Sequence, residues 1–284
     1  MRRSPFFAAL LLLLSLAPIA ALSRKSATWP QDPSRSFLGF DRNEYPGDEA
    51  LPVLRKAFSF TSYWIGPPPG EKKSTWLGKR ELLRAQGFGF VVLFNGPESR
   101  TLKGVADAQR IGAADAAHAG TLAEREGFPK GIIVFLDIEE GGRLPAAFHA
   151  YLKNWSEGLQ RAGYRPGVYC SAMPVSEGKG VTITTADDIQ DHDGSREIVF
   201  WVYNDACPPS PGCSFPATSP SAVQSGFATA AVWQYAQSPR RKEFTSQCPA
   251  NYASDGNCYA PGDTAHKWFL DVNTAPTANP SSPK

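Results

Sequence analysis

Three observations predict an α/β protein folded as a single (β/α)8 barrel of the TIM type. Eight short apolar or aromatic runs are mostly separated by stretches with helical character, and such alternation implies parallel strands joined by right-handed crossovers. Once an N-terminal leader is set aside, about 260 residues remain, the usual size of one such barrel. The run Ile132-Ile133-Val134-Phe135-Leu136 is apolar throughout, as a parallel strand covered on both faces requires.

The chain opens with a segment that reads as a signal peptide over 1–23. Arg2 and Arg3 form a positive start and 6–17 is apolar but too short for a comfortable span of about 20 residues. Ala21-Leu22-Ser23 offers small residues for cleavage, and an uncleaved anchor is the competing reading. A polar lead-in is expected over 24–35. The first strand falls at 36–41, and Pro46-Gly47 opens a helix at 48–56. Aromatic and β-branched residues make 58–65 a strand. After a Pro/Gly-rich loop come a helix at 78–86, an apolar strand at 88–95 and an Ala-rich helix at 105–126.

The clearest strand, 131–139, is followed by a helix at 144–162 with Phe148, Leu152, Trp155 and Leu159 at helical spacing. A strand at 165–171, a shorter helix at 186–190 and strands at 198–204, 230–235 and 268–273 complete the set. The stretches 205–229 and 236–267 carry no convincing helix, so the barrel is irregular in its last two βα connections. The barrel domain is placed at 36–273, with a disordered tail at 274–284. An open doubly wound sheet is the alternative architecture.

The formal charge of +2 falls to neutrality when Arg2 and Arg3 leave with the signal peptide, and nothing global points to nucleic acid or an anionic membrane. Arg240-Arg241-Lys242 reads as a solvated loop. No other segment is long and apolar enough to cross a bilayer, so no stable membrane insertion is expected after signal removal. Export to the periplasm, cell envelope or exterior follows, and the chain is expected to act as a monomer. In that setting Cys207 with Cys213, and Cys248 with Cys258, read as two loop-stapling disulfides. A zinc site is the competing reading. Cys170, in an apolar strand, reads as a buried thiol.

Functional groups of such barrels gather where strands end. The first strand ends in Gly39-Phe40-Asp41, the fourth in Asp137-Ile138-Glu139, and the eighth in Asp271-Val272-Asn273. Asp137 and Glu139 are two apart, so both point inward while Ile138 points to the helix layer. Two carboxyls this close separate in pKa, and one is then held protonated while the other is ionised. Glycoside hydrolysis requires that division. A carboxylate that merely caps the next helix is the structural alternative, and cation binding by Asp41, Asp137, Glu139 and Asp271 is the chemical one. Glu140 has opposite parity and reads as supporting or solvated.

Tyr63, Tyr169, Trp201, Tyr203, Trp233 and Tyr235 stand near strand ends, where rings suit the apolar faces of sugars. Asn95 ends the third strand and offers hydrogen bonds to hydroxyls. Ordinary barrel packing is the competing explanation for each ring. His118, His149, His192 and His266 show no metal spacing, and no nucleophile elbow, dinucleotide fingerprint or P-loop occurs. No metal and no cofactor are expected.

Gly39-Phe40-Asp41, Phe135-Leu136-Asp137-Ile138-Glu139, Gly167-Val168-Tyr169, Trp201-Val202-Tyr203, Trp233-Gln234-Tyr235 and Asp271-Val272-Asn273 occur in an order that resembles the family 25 glycoside hydrolases, the Chalaropsis-type lysozymes. The resemblance is closer to a related glycoside-hydrolase-like family, known as domain of unknown function 1906, and it spans about 36–273. It implies a glycosidase acting on cell-wall glycan of the peptidoglycan type. Glu139 would be the general acid and Asp137 its positioning or stabilising partner, with Asp41 and Asp271 as supporting carboxylates. The segment between Tyr235 and Asp271 departs from the lysozyme pattern by its length. A non-catalytic glycan-binding barrel at the cell surface is the alternative function.

Overall fold

The computed structural model describes residues 36–193, 197–205, 220–238 and 268–282. The regions 1–23 and 24–35, the cluster Arg240-Arg241-Lys242, His266, and the cysteines at 207, 213, 248 and 258 lie outside them. Eight strands close into a barrel: β1 (Phe37–Asp41), β2 (Phe60–Trp64), β3 (Gly89–Asn95), β4 (Ile133–Asp137), β5 (Arg165–Ser171), β8 (Val199–Tyr203), β9 (Ala230–Ser238) and β10 (Leu270–Ala275). β6 (Val175–Gly178) and β7 (Val181–Ile183) form a separate antiparallel hairpin. Its tip, Gly178-Lys179-Gly180, holds three positive φ angles, which the two glycines adopt without a Cβ clash.

The helices are α1 (Leu51–Leu54), α2 (Arg80–Ala85), α3 (Val105–Arg125), α4 (Ala146–Arg161) and α5 (Thr185–Asp193). α4 buries Phe148, Tyr151, Leu152, Trp155 and Leu159 on one stripe, as its periodicity predicts. α5 is longer than its apolar residues indicate. Thr184 Oγ1 accepts the Asp187 N–H at 3.0 Å and caps its start.

The barrel is closed as expected, but it is not all parallel. β10 runs antiparallel to both β1 and β9. A parallel return needs a crossover of a dozen or more residues, usually a helix, and the sequence after β9 offers no helical stretch to make one. The reversal has a functional consequence. Asp271 stands near the start of β10, not at its end, yet lies at the mouth because it pairs with Asp41.

The tail expected to be disordered is a second correction, since 274–282 is ordered. Thr274 and Ala275 belong to β10, and the chain then passes beneath β3 and β4. Asn279 Oδ1 accepts the Phe90 N–H at 2.9 Å, Ser281 Oγ accepts the Val92 N–H at 2.8 Å, and the Ser281 carbonyl accepts the Ile133 N–H at 2.7 Å. These donors at the strand starts would otherwise be buried without partners. Polar composition hides this role because the tail contributes acceptors, not apolar area.

Inside the barrel, Phe60, Phe135 and Trp201 fill the space below the mouth, each at most 1% exposed. Inward-facing glycines make room for them. A Cβ on Gly167 would lie 2.5 Å from Phe135 Cδ1, and one on Gly39 would run into the Phe60 ring. In Gly39-Phe40-Asp41 and Gly167-Val168-Tyr169 the glycine therefore admits a core ring, and the residue two further on reaches the mouth. Cys170, pointing the other way, is a buried free thiol.

Candidate active site

Asn95, Asp137, Tyr169 and Trp201 are consecutive register partners across β3, β4, β5 and β8, so they share the inner face in one tier. Asp41 and Asp271 are partners across β1 and β10 on the opposite side of the mouth. Glu139 follows β4 and projects to solvent, while Ile138 is buried in the outer layer as predicted.

Asn273 ties the two sides together. Its Nδ2 donates to Asp41 Oδ2 at 2.6 Å, and its Oδ1 accepts from Trp201 Nε1 at 2.8 Å. The residue is fully buried, so both ends of its amide are satisfied by protein. Asn273 is a site residue beyond those expected from the sequence. Its parity with Asp271 was the available signal.

Asp137 is 5% exposed and hydrogen-bonds the Glu139 carboxyl, while its Oδ2 has no hydrogen-bond partner among the described residues. Burial, then the Glu139 charge, pushes Asp137 well above the ordinary carboxylate range. Burial also raises Glu139, while the hydrogen bond from Asp137 pulls it back. Protonation thus belongs to the pair, with Asp137 the more tenacious holder and Glu139 the member reaching solvent. Asp41 is raised by burial and by Asp271, against the lowering hydrogen bond from Asn273. Asp271 rises to about 7 through burial and the charges of Asp205 and Glu139.

Tyr169 stands among these groups. Burial raises its phenol, and Asp41, Glu139, Asp271 and Asp137 all add to the shift. Its ring lies 4.8 Å from Trp201 and 5.5 Å from Tyr203, the latter pair tilted by 33°. Tyr169 and Tyr203 are partly exposed, whereas Trp201 is buried beneath them. Asn95 is half-buried at the mouth. Glu140 accepts the Ser99 N–H at 2.5 Å and so braces the start of the β3–α3 connection.

Three predicted sugar-binding rings are elsewhere. Tyr63 is fully buried outside the barrel against Trp76, Phe90 and Phe128, and its hydroxyl donates to Glu126 Oε2 at 2.6 Å. Trp233 is the register partner of Val202, on the face opposite Trp201 and Tyr203, and donates Nε1–H to the Asn204 carbonyl at 3.1 Å. Tyr235 sits in the irregularity where β9 gains a residue against β10, buried with its ring 5.6 Å from Trp233. The inward residue of that motif is Gln234, 4% exposed and in register with Asn273 and Tyr203. Strict alternation between Trp233 and Tyr235 was the signal for it.

Among the described residues, one group of three side chains brings metal-competent donor atoms within 4.8 Å of one another: His149, Asp188 and His192. It lies on α4 and α5. The four mouth carboxylates form no such group.

Residues 65–201 match the family model described as Rv2525c-like, glycoside hydrolase-like domain. That stretch contains Asn95, Asp137, Glu139, Tyr169 and Trp201, while Asp41, Asp271 and Asn273 fall outside it. Among solved structures, the chain is similar to an uncharacterized protein of B. stearothermophilus, with 22% identity over 84% of this chain and 95% of that chain and a TM-score of 0.51. That likeness is one of fold. The spore cortex lytic enzyme SleM of Clostridium perfringens aligns at 16% identity over 84% of this chain and 67% of that chain, TM-score 0.49. The bacterial lysozyme from Streptomyces coelicolor aligns at 14% identity over 84% and 92%, TM-score 0.44. No curated protein matches the chain. Among the described residues, no helix is long and apolar enough to cross a membrane.

Proposed function

We propose that this barrel hydrolyses a glycosidic bond in cell-wall glycan of the peptidoglycan type. The observation that carries the proposal is the placement of Asp137 and Glu139 at the barrel mouth, Asp137 in one tier with Asn95 and Tyr169, with Asp41 and Asp271 paired on the other side. The Asp137–Glu139 pair retains a proton where isolated carboxyls have lost theirs, which a general acid near neutral pH requires. Glu139, the member that reaches solvent, delivers the pair's shared proton to the leaving oxygen. Asp137 holds Glu139 in place from below and positions the reacting group or water. Asp41 and Asp271 stand across the mouth as supporting carboxyls. Asn95, Tyr169 and Tyr203 hold the sugar through hydrogen bonds and ring contact. The match to a glycoside hydrolase-like family model over 65–201 supports this reading.

The same reading includes export through the signal peptide at 1–23, action as a monomer outside the membrane, and loops stapled by Cys207–Cys213 and Cys248–Cys258. The test is release of reducing ends from purified peptidoglycan and from chitin-type oligosaccharides by the wild-type protein, with glycan binding followed by pull-down. Release from peptidoglycan is the expected result. Binding without release from either glycan would reject hydrolysis in favour of the glycan-binding barrel.

A further inference from the structure

Away from the mouth, α4 and α5 meet at Asp188, which is completely buried. His149 Nε2 on α4 lies 2.9 Å from Asp188 Oδ2, and His192 Nδ1, one turn along α5, lies 3.5 Å from Asp188 Oδ1. The two imidazoles stack with centroids 3.9 Å apart and planes 23° apart. His192 is also seated by its own helix, with Nδ1 2.7 Å from the Asp188 carbonyl oxygen. Nothing in the barrel chemistry uses this cluster.

We propose that His149, Asp188 and His192 form a binding site for a divalent transition-metal ion of the zinc type. Two imidazoles and one carboxylate are a donor set suited to zinc, which takes nitrogen and oxygen ligands at about 2.0–2.2 Å. Ligand atoms in a tetrahedral site of that radius are roughly 3.4 Å apart. His149 Nε2 lies 2.9 Å from Asp188 Oδ2, and one donor atom from each residue lies within 4.8 Å of the others; with Nδ1 of His192 held by the Asp188 carbonyl oxygen, Nε2 is the nitrogen that residue offers. His192 is 46% exposed, so the cluster reaches the surface.

The charges around the cluster favour a cation. Arg143 Nη1 contacts Asp188 Oδ1 at 3.0 Å, but Arg143 also forms a two-pronged pair with Glu177 at 2.8 and 3.1 Å. Glu177 and Asp188 therefore share one guanidinium, so the two carboxylates together carry more charge than it neutralises. Asp187 and Asp191 on α5 add further negative charge. The Leu144 N–H donates to Asp188 Oδ2 at 2.8 Å, an outer contact of the kind that orients metal-binding carboxylates.

The ion would pin α5 to α4, and α5 in turn supports the chain that follows Glu139. The Thr185 hydroxyl is 3.0 Å from both the Glu140 and the Gly142 carbonyl oxygens, and Asp188 holds Arg143 and Leu144. The metal is thus a structural brace behind the β4–α4 loop, independent of whether the barrel cleaves glycan.

The test uses the untagged full chain, stripped with chelator and equilibrated with zinc chloride by dialysis. Wild type is compared with His149→Ala and with His192→Gln, the second at a position 46% exposed. The expected result is one more zinc per chain in wild type than in either variant. Affinity at the cluster should fall at least about tenfold in each variant. Zinc should raise the melting temperature of wild type alone. Zinc bound elsewhere, at the cysteines for example, is common to all three proteins and cancels. Equal zinc content in wild type and both variants, or no zinc-dependent rise in wild-type melting temperature, would overturn the proposal.

Discussion

Asn273 and Asp41 are 232 positions apart in sequence, yet the amide donates to the carboxyl at 2.6 Å across the seam where the reversed last strand meets the first. The other end of the same amide accepts from Trp201. Asn273→Ala therefore leaves a buried carboxyl and a buried indole N–H without a partner. The expected loss of stability is about 2–3 kcal/mol, read by chemical denaturation. Asp41 should also titrate higher in that variant, because Asn273 now lowers it.

Asp271 gives the fold a pH dependence of defined sign. Its folded value of about 7 lies above the ordinary 3.8, so between these values the folded state binds the proton more tightly than the unfolded chain. Its contribution to stability is complete below about pH 4 and is lost as pH rises through 7. Asp271→Asn removes this dependence. The variant should melt near wild type at pH 4 and above it at pH 8, by a free energy of at most about 4 kcal/mol. A variant that loses ground to wild type as pH rises would reverse the sign and refute the assignment.

The ordered tail makes a separate prediction. Ser281→Ala removes the acceptor of the buried Val92 N–H and should cost about 1–3 kcal/mol. Truncation after Ala275 removes the Asn279 acceptor as well and should cost more. Melting curves unchanged by either alteration would restore the disordered tail.

Two tyrosines separate packing from site. Tyr63→Phe should lower stability by about 1 kcal/mol through its bond to Glu126 and leave glycan turnover unchanged. Tyr169→Phe, among four carboxyls, should reduce turnover in a reducing-end assay. The opposite pattern would move the site.

What the sequence showed and what it hid follow physical lines. β4 was legible because a doubly covered strand has no polar residue until it reaches the mouth, and the spacing of Asp137 and Glu139 sets their face. The aromatic residues were less legible. Alternation says that Trp233 and Tyr235 differ from Gln234, but not which of them faces inward, and the extra residue in β9 obscures the count. The direction of β10 is set by how it pairs with β1 and β9, and pairing direction leaves no periodic trace in the sequence. His149 is brought to Asp188 and His192 by the packing of two helices, so only the i, i+4 half of that cluster is written along the chain.

The most direct measurement compares wild type with Glu139→Gln for both glycan binding and reducing-end release from peptidoglycan. Glutamine keeps the shape of the side chain and removes its proton-donating carboxyl. The account predicts that binding persists while turnover falls about 10²- to 10⁴-fold, the usual contribution of a general acid. Wild-type turnover retained by Glu139→Gln would contradict it.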